Sequence, residues 1–229
     1  SKKHKLIFRG KYSKGIPKFN TITHLLALLE KEKIIKKKYQ ILVKKNIPQK
    51  SGMGGGSMNA ASILGFFLKK KILTKKLSEK FAKKIGSDVI LGLNKFPKVY
   101  LPSGKIRVLK TRIKYYLLLV KPNFGCSTRK VFSANKVFSK SKLGKLKNVS
   151  KTTIINSEND LENSAFRLYP KLLKLKNKLL SWKKAEFVRM TGSGSTLVMY
   201  FNKEVSAKNA LKMSKRKLNN CWCILSKVI

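Results

Sequence analysis

The alternation of His4 to Arg9 predicts a strand, and Gly10 to Pro17 supplies turn residues. Asn20-Thr21 then opens a helix, because Ile22, Leu25, Leu26 and Leu29 recur at helical spacing. Lys31, Lys33, Lys36 and Lys37 fall between and beyond them as a solvated basic face, and His24 reads as a surface or packed residue. Gln40 to Ile47 is strand-like. A helix from about Met58 to Lys71 follows, with Ser57 as its N-cap and Ala60, Ile63, Leu64, Phe67 and Leu68 packed inward. A further helix, Lys76 to Ile85, carries Leu77, Phe81 and Ile85 on one stripe and stops at Gly86.

The second half reads the same way. Lys98 to Leu101, Pro102-Ser103-Gly104 and Lys105 to Leu109 form a strand, turn and strand, and Tyr115 to Lys121 is a strand ending at Pro122-Asn123-Phe124-Gly125. Phe138 to Ser157 is polar and rich in Lys and Ser, which predicts a loop. Asn159-Asp160-Leu161-Glu162 caps a helix, with Asp160 read as a cap rather than a catalyst, and Leu172 to Leu180 continues as amphipathic helix. Phe187 to Met190 and Leu197 to Phe201 are strands around a loop of small residues. Lys203 to Leu218 is a helix with Val205, Ala210, Leu211 and Met213 inward, and Trp222 to Val228 is the last strand.

One stretch breaks the periodicity. Ile47 to Ala61 reads IPQKSGMGGGSMNAA, so four residues, Gly52, Gly54, Gly55 and Gly56, lack a β-carbon between a strand and an Ala-rich helix. Such a backbone can take positive φ and turn several N–H groups toward one anion. The helix that follows adds its own unpaired donors and partial positive charge, so the unit suits a polyphosphate. A linker or tight turn that binds nothing is the competing reading. The spacing is neither that of a Walker loop nor that of a dinucleotide-binding fingerprint.

Composition narrows the function classes. The 229 residues are 42% hydrophobic, enough for a packed core, yet 54 Lys plus Arg face nine Asp plus Glu, a net charge of +45. Only seven of those cations are Arg, and the lysines are scattered through every segment without a tail, zinc knuckle or recognition motif. A genome rich in A/T would inflate Lys, Ile, Asn and Phe together, which leaves no specific nucleic-acid partner, although such charge promotes loose polyanion binding. Cys126, Cys221 and Cys223 lack metal or redox spacing, and His4 and His24 are the only histidines, so no protein metal site or Ser-His-Asp triad is expected. No signal peptide or spanning run is visible, and no membrane is expected. The thiol usage points to a reduced, cytoplasmic setting. Acids are so scarce that Asp88, one of two aspartates, draws notice after the Gly86 stop; an N-cap role competes with a catalytic one.

These motifs together resemble the GHMP kinase superfamily, and within it the kinases of 4-diphosphocytidyl-2-C-methyl-D-erythritol. The glycine loop resembles the family's ATP-phosphate loop over Pro48, Gln49, Lys50, Ser51, Gly52, Met53, Gly54, Gly55, Gly56, Ser57 and Met58. Gly86-Ser87-Asp88-Val89 resembles the segment that supplies the catalytic aspartate, with Ser in place of Ala. Lys121-Pro122-Asn123 through Val131-Phe132 resembles the substrate segment, which implies substrate contacts at Thr128 and Phe132; the phenyl ring suits stacking on cytosine, while the residue type alone fits a core aromatic equally. Met190 to Thr196 resembles the third family loop, which implies substrate contacts at Gly192, Ser193 and Gly194, and Asn159-Asp160-Leu161-Glu162 recurs in the family at the start of a helix.

The resemblance implies an α+β fold: an N-terminal domain of the ribosomal protein S5 domain 2-like type over residues 1–112 and a ferredoxin-like C-terminal domain over 113–229, the nucleotide between them. It implies ATP as phosphoryl donor, Asp88 as base and a cytidine diphosphate-linked methylerythritol as acceptor. It also implies Mg²⁺ held mainly by phosphate oxygens and water, with Ser57 able to touch it; Asn59 stands where other members can have an acid. One departure stands out: the family's opening Lys-x-Asn strand and Gly-Tyr-His segment are not visible before His4, so an N-terminal segment is expected to be missing. A homoserine or mevalonate type of kinase and a basic nucleic-acid-binding protein are the alternatives.

Overall fold

The computed structural model describes residues 3–93, 96–101, 103–109, 113–139 and 149–228. The chain divides into two compact units, one of Ser1–Gln49 with Gly54–Phe96, the other of Lys50–Met53 with Pro97–Ile229. The expected boundary at residue 112 lies outside the described residues, as do Pro102 of the expected turn and residues 140–148 of the expected loop.

In the first unit β1 (Lys5–Arg9) pairs in parallel with β2 (Gln40–Lys44), Lys5 opposite Gln40 and Arg9 opposite Lys44. The connection between them is α1 (Thr21–Lys31), started by a capping box in which Asn20 accepts from the Ile22 and Thr23 amides while Thr23 Oγ1 accepts from the Asn20 amide. Its predicted stripe, Ile22, Leu25, Leu26 and Leu29, is buried. It packs against α2 (Gly55–Lys69), whose Ala60, Ala61, Leu64 and Phe67 face inward, and near α3 (Lys75–Ile85), which contributes Phe81 and Ala82. One sequence expectation changes here. The helix after the glycine loop begins at Gly55 with Gly54 as its cap, so Ser57 lies inside the first turn rather than at the N-cap. After the Gly86 stop a separate five-residue helix begins, α4 (Ser87–Leu91), which carries Asp88 in its first turn and buries its own Val89 and Ile90.

The second unit holds β3 (Lys98–Tyr100) paired antiparallel to β4 (Ile106–Val108), and a four-stranded antiparallel sheet. That sheet comprises β5 (Tyr115–Pro122), β6 (Phe187–Met190), β7 (Leu197–Phe201) and β8 (Cys221–Val228) in the order β6-β7-β5-β8. With α5 (Thr128–Ala134), α7 (Leu161–Leu168) and α8 (Pro170–Leu180) between β5 and β6, and α9 (Glu204–Lys217) between β7 and β8, this is the β-α-β-β-α-β order of a ferredoxin-like domain. The period of two divides β5: Leu118 and Val120 join Leu172, Leu179, Met199 and Ala210 under the helices, while Tyr115 and Leu117 pack with Phe187 and Tyr200 on the other face.

Three expectations are corrected in this unit. Within the stretch expected as loop, Lys151–Ile155 forms a short helix, α6, started by a Ser150–Thr153 capping box. Val205 is 66% exposed, and the inward residues of α9 are Ala207, Ala210 and Ser214. Asp160 does not cap α7 with its side chain: its Oδ2 accepts from the amide and hydroxyl of Ser139, and the acceptor for the Leu161 amide is Asn159.

Candidate active site

In the first unit the site is the start of α2. Gly54 adopts a left-handed conformation (φ 61°, ψ 22°), which lets the chain enter the helix with no side chain over its first turn. The N–H groups of the cap and the next three residues lack intrahelical partners by geometry, so Gly54, Gly55, Gly56 and Ser57 form a run of donors, while the Met58 amide donates to the Gly54 carbonyl at 2.9 Å. Three side chains border it, from α1, from the residue after β2 and from α4. A methyl group placed on Gly54 would stand 3.9 Å from Asp88 Oδ2, so the carboxylate in the first turn of α4 faces the loop rather than turning away. The same test at Gly55 meets Lys45 Nζ at 3.3 Å, and at Gly56 it meets Thr21 Oγ1 at 3.0 Å. Burial lowers the pKa of the Lys45 ammonium. Among the described residues no group of three His, Cys, Asp or Glu converges as a protein metal site.

Sequence reasoning found Asp88 but not Lys45 or Thr21. Lys45 is one of many lysines and sits within the strand-like run Gln40 to Ile47, so nothing in the letters sets it apart; Thr21 reads only as the first residue of a helix. Pro48 is buried, and Gln49 donates from Nε2 to the Lys14 carbonyl at 2.8 Å.

In the second unit Lys50, Ser51, Gly52 and Met53 lie with the loop Met190 to Thr196. Gly52 (φ 70°) packs so closely that a methyl group there would lie 2.2 Å from the Thr191 carbonyl oxygen. Thr191 Oγ1 donates to the Gly52 carbonyl at 3.1 Å and the Thr196 amide to the Ser51 carbonyl at 3.2 Å. Gly125 lies against Lys50, where an added methyl group would meet its β-carbon at 2.5 Å. Thr128 and Ser193 share a hydroxyl–hydroxyl hydrogen bond of 2.9 Å, and Ser195 Oγ donates to the Phe124 carbonyl at 2.7 Å. The structure therefore brings Thr128, Gly192, Ser193 and Gly194 to one place beside the front half of the glycine loop.

Phe132 is 49% exposed, which excludes the core-aromatic reading. It lines a cavity of about 540 Å³ with Phe138, Asn159, Asp160, Thr191 and Gly192. Lys121, from Lys-Pro-Asn, is buried and donates to the Pro122 and Phe124 carbonyls at 2.8 and 2.9 Å, so it braces the turn that leads to Thr128.

Comparison with known proteins decides the family. The profile of the GHMP kinases N terminal domain matches residues 20–95, and that of GHMP kinases C terminal matches residues 140–220. A 4-diphosphocytidyl-2-C-methyl-D-erythritol kinase of Pelagibacter ubique is 46% identical across the whole chain, which spans 83% of that relative. The chain is a GHMP kinase. Its kinship lies with the 4-diphosphocytidyl-2-C-methyl-D-erythritol kinases, since the one from Fusobacterium nucleatum is also 31% identical over 87% of the chain and 72% of its own length. Among solved structures, a 4-(cytidine 5'-diphospho)-2C-methyl-D-erythritol kinase superposes with a TM-score of 0.73 at 23% identity, covering 97% of this chain and 82% of the other. A homoserine kinase from Cytophaga hutchinsonii superposes at 0.70 with 16% identity over 100% and 83%. Those two show the fold, the two-domain α+β architecture of the GHMP kinases. The enzyme class follows from the family: a phosphotransferase with an alcohol as acceptor.

Proposed function

We propose that this GHMP kinase transfers the γ-phosphoryl group of ATP to the 2-hydroxyl of 4-diphosphocytidyl-2-C-methyl-D-erythritol in the non-mevalonate route to isoprenoid precursors. The substrate reading rests on the 46% identity to a kinase of that name over the whole chain. The observation that supports the chemistry is the Asp88 carboxylate facing the bare first turn of α2. Amides of Gly52 to Ser57 hold the phosphates and balance charge as it builds on the transferring group. Asp88 accepts the acceptor's hydroxyl proton as the oxygen bonds to phosphorus and ADP departs with the electron pair of the broken bond. Lys45 adds a cation beside the same turn. Mg²⁺ would arrive with the nucleotide, bound through phosphate oxygens and water, with Ser57 Oγ as the protein donor at hand. It would neutralise phosphate charge.

On the acceptor side, Phe132 offers an exposed ring face for cytosine, and Thr128, Gly192, Ser193 and Gly194 supply hydroxyl and backbone groups beside it. Among the described residues no helix is long and apolar enough to cross a membrane, and we assign the work to the cytoplasm, where ATP and so polar an acceptor are met.

The test is turnover of the full chain with ATP, Mg²⁺ and the cytidine-linked acceptor, read as ADP release and as the new 2-phosphate by phosphorus NMR. Homoserine and mevalonate serve as competitors. The expected result is phosphorylation of the cytidine-linked alcohol alone, reduced about 10²- to 10⁴-fold in kcat by Asp88→Asn. Equal turnover of homoserine or mevalonate would reassign the substrate, and full activity in Asp88→Asn would remove the carboxylate from its role. Steep salt-dependent RNA binding without turnover would favour the nucleic-acid reading instead.

A further inference from the structure

We infer that Asn159 and Glu162, at the start of α7, are positioning residues that hold the front half of the phosphate loop through the loop Met190 to Thr196. Both backbone groups of Met190 are taken by side chains at the start of α7. Its amide donates to Glu162 Oε1 at 2.6 Å, and its carbonyl accepts from Asn159 Nδ2 at 2.9 Å. The second proton of the same Nδ2 goes to the Gly192 carbonyl at 2.8 Å, so one side-chain amide bridges two carbonyls across Thr191. That fixes the amide's orientation, since the flipped form would set its oxygen against both.

Glu162 is itself held, with Oε2 at 2.6 Å from Lys176 Nζ in a pair of which each side chain is less than one fifth exposed. What this clamp carries is Thr191. Its carbonyl accepts from the Gly194 amide at 2.9 Å and closes the turn, and its hydroxyl donates to the Gly52 carbonyl. Five residues on, the Thr196 amide meets the Ser51 carbonyl. The path Lys176, Glu162, Met190, Thr191, Gly52 thus runs through three hydrogen bonds and the one peptide link between Met190 and Thr191. A phosphate loop acts only if its amides stand where charge develops, and an error near 1 Å can cost about 10²-fold in rate.

Asn159 also allows a clean separation of this role from helix capping. Its Oδ1 accepts from the Leu161 amide, a bond that Asp or Ser can also make, whereas the two donated bonds cannot survive either substitution. The inference rests on the kinase reading, so the experiment pairs kinetics with a readout independent of activity. In full-chain Asn159→Asp and Asn159→Ser, kcat/KM for ATP should fall about 10- to 100-fold with Tm held within about 2 °C, and the Met190 and Thr196 amides should exchange hydrogen faster than in the parent. Glu162→Ala should act in the same direction and more strongly than Glu162→Gln, which keeps an acceptor for Met190. Unchanged kinetics with unchanged exchange would overturn the proposal. So would a loss of activity matched by a general fall in Tm and protection, since that would mark Asn159 as a plain structural residue. A parent chain without turnover would defeat the kinase reading instead, leaving the exchange data to judge the clamp.

Discussion

A methyl group at Gly52 has nowhere to go. It would stand 2.2 Å from the Thr191 carbonyl oxygen on a backbone of φ 70°, a region that costs an L residue at least about 1 kcal/mol. Gly52→Ala is therefore expected to lower Tm by several degrees and weaken ATP binding together, measured by calorimetry with and without nucleotide. The thiols give a second prediction. Burial pushes Cys126 and Cys221 up to about 11, so neither is appreciably thiolate at pH 8, and burial raises Cys223 as well. Iodoacetamide should label the native chain slowly there, and denaturant should restore ordinary rates, as read by mass spectrometry. At this scale the letters carried unequal information: Asp88 stood out because aspartate is rare in the chain, while Lys45 was hidden by the abundance of its own kind.

Elements follow local rules until function overrides them. Asn20-Thr21 was legible as a helix start, and Asn20→Ala should cost about 1 kcal/mol in urea unfolding, through loss of the bonds to the Ile22 and Thr23 amides. The start of α2 was misplaced because Ser57 is the better cap by chemistry, yet Gly54 serves because an open turn needs no side chain over its amides. Helix α6 escaped notice for another reason: it spans five residues, buries none of them, and its box uses Thr rather than Glu at the third position. Between α1 and α3 one contact responds to acid. Glu32, just past α1, bonds Lys84 and Lys80 of α3, and the Lys84 hydrogen bond, followed by that from Lys80, holds its carboxyl below the usual range. Since the folded pKa is the lower one, this contribution is present at neutral pH and fades as acid protonates the group. Glu32→Gln should accordingly flatten the fall of Tm below about pH 4, with little change at pH 7 in salt.

Across the whole molecule 54 Lys plus Arg meet only nine Asp plus Glu, so most of the cations have no acid with which to pair and a net +45 is left. Raising NaCl from about 20 to 200 mM should raise Tm by screening self-repulsion; a flat or falling profile would show that the lysines are too well spaced to repel. The strand order β6-β7-β5-β8 could not be read from periodicity, which identifies strands but not partners. What pointed to the architecture was the succession of short loops, each resembling a family segment. The thread of the chain has a last consequence. It leaves the first compact unit after Gln49, returns at Gly54 and departs finally after Phe96, so no single cut in the gene divides one unit from the other. A recombinant taking its first 96 residues from a distant cousin would import the tetrapeptide Lys50–Met53 without the threonines at 191 and 196 that accompany it here. Crossovers should be inherited only where both pieces descend from the same parent.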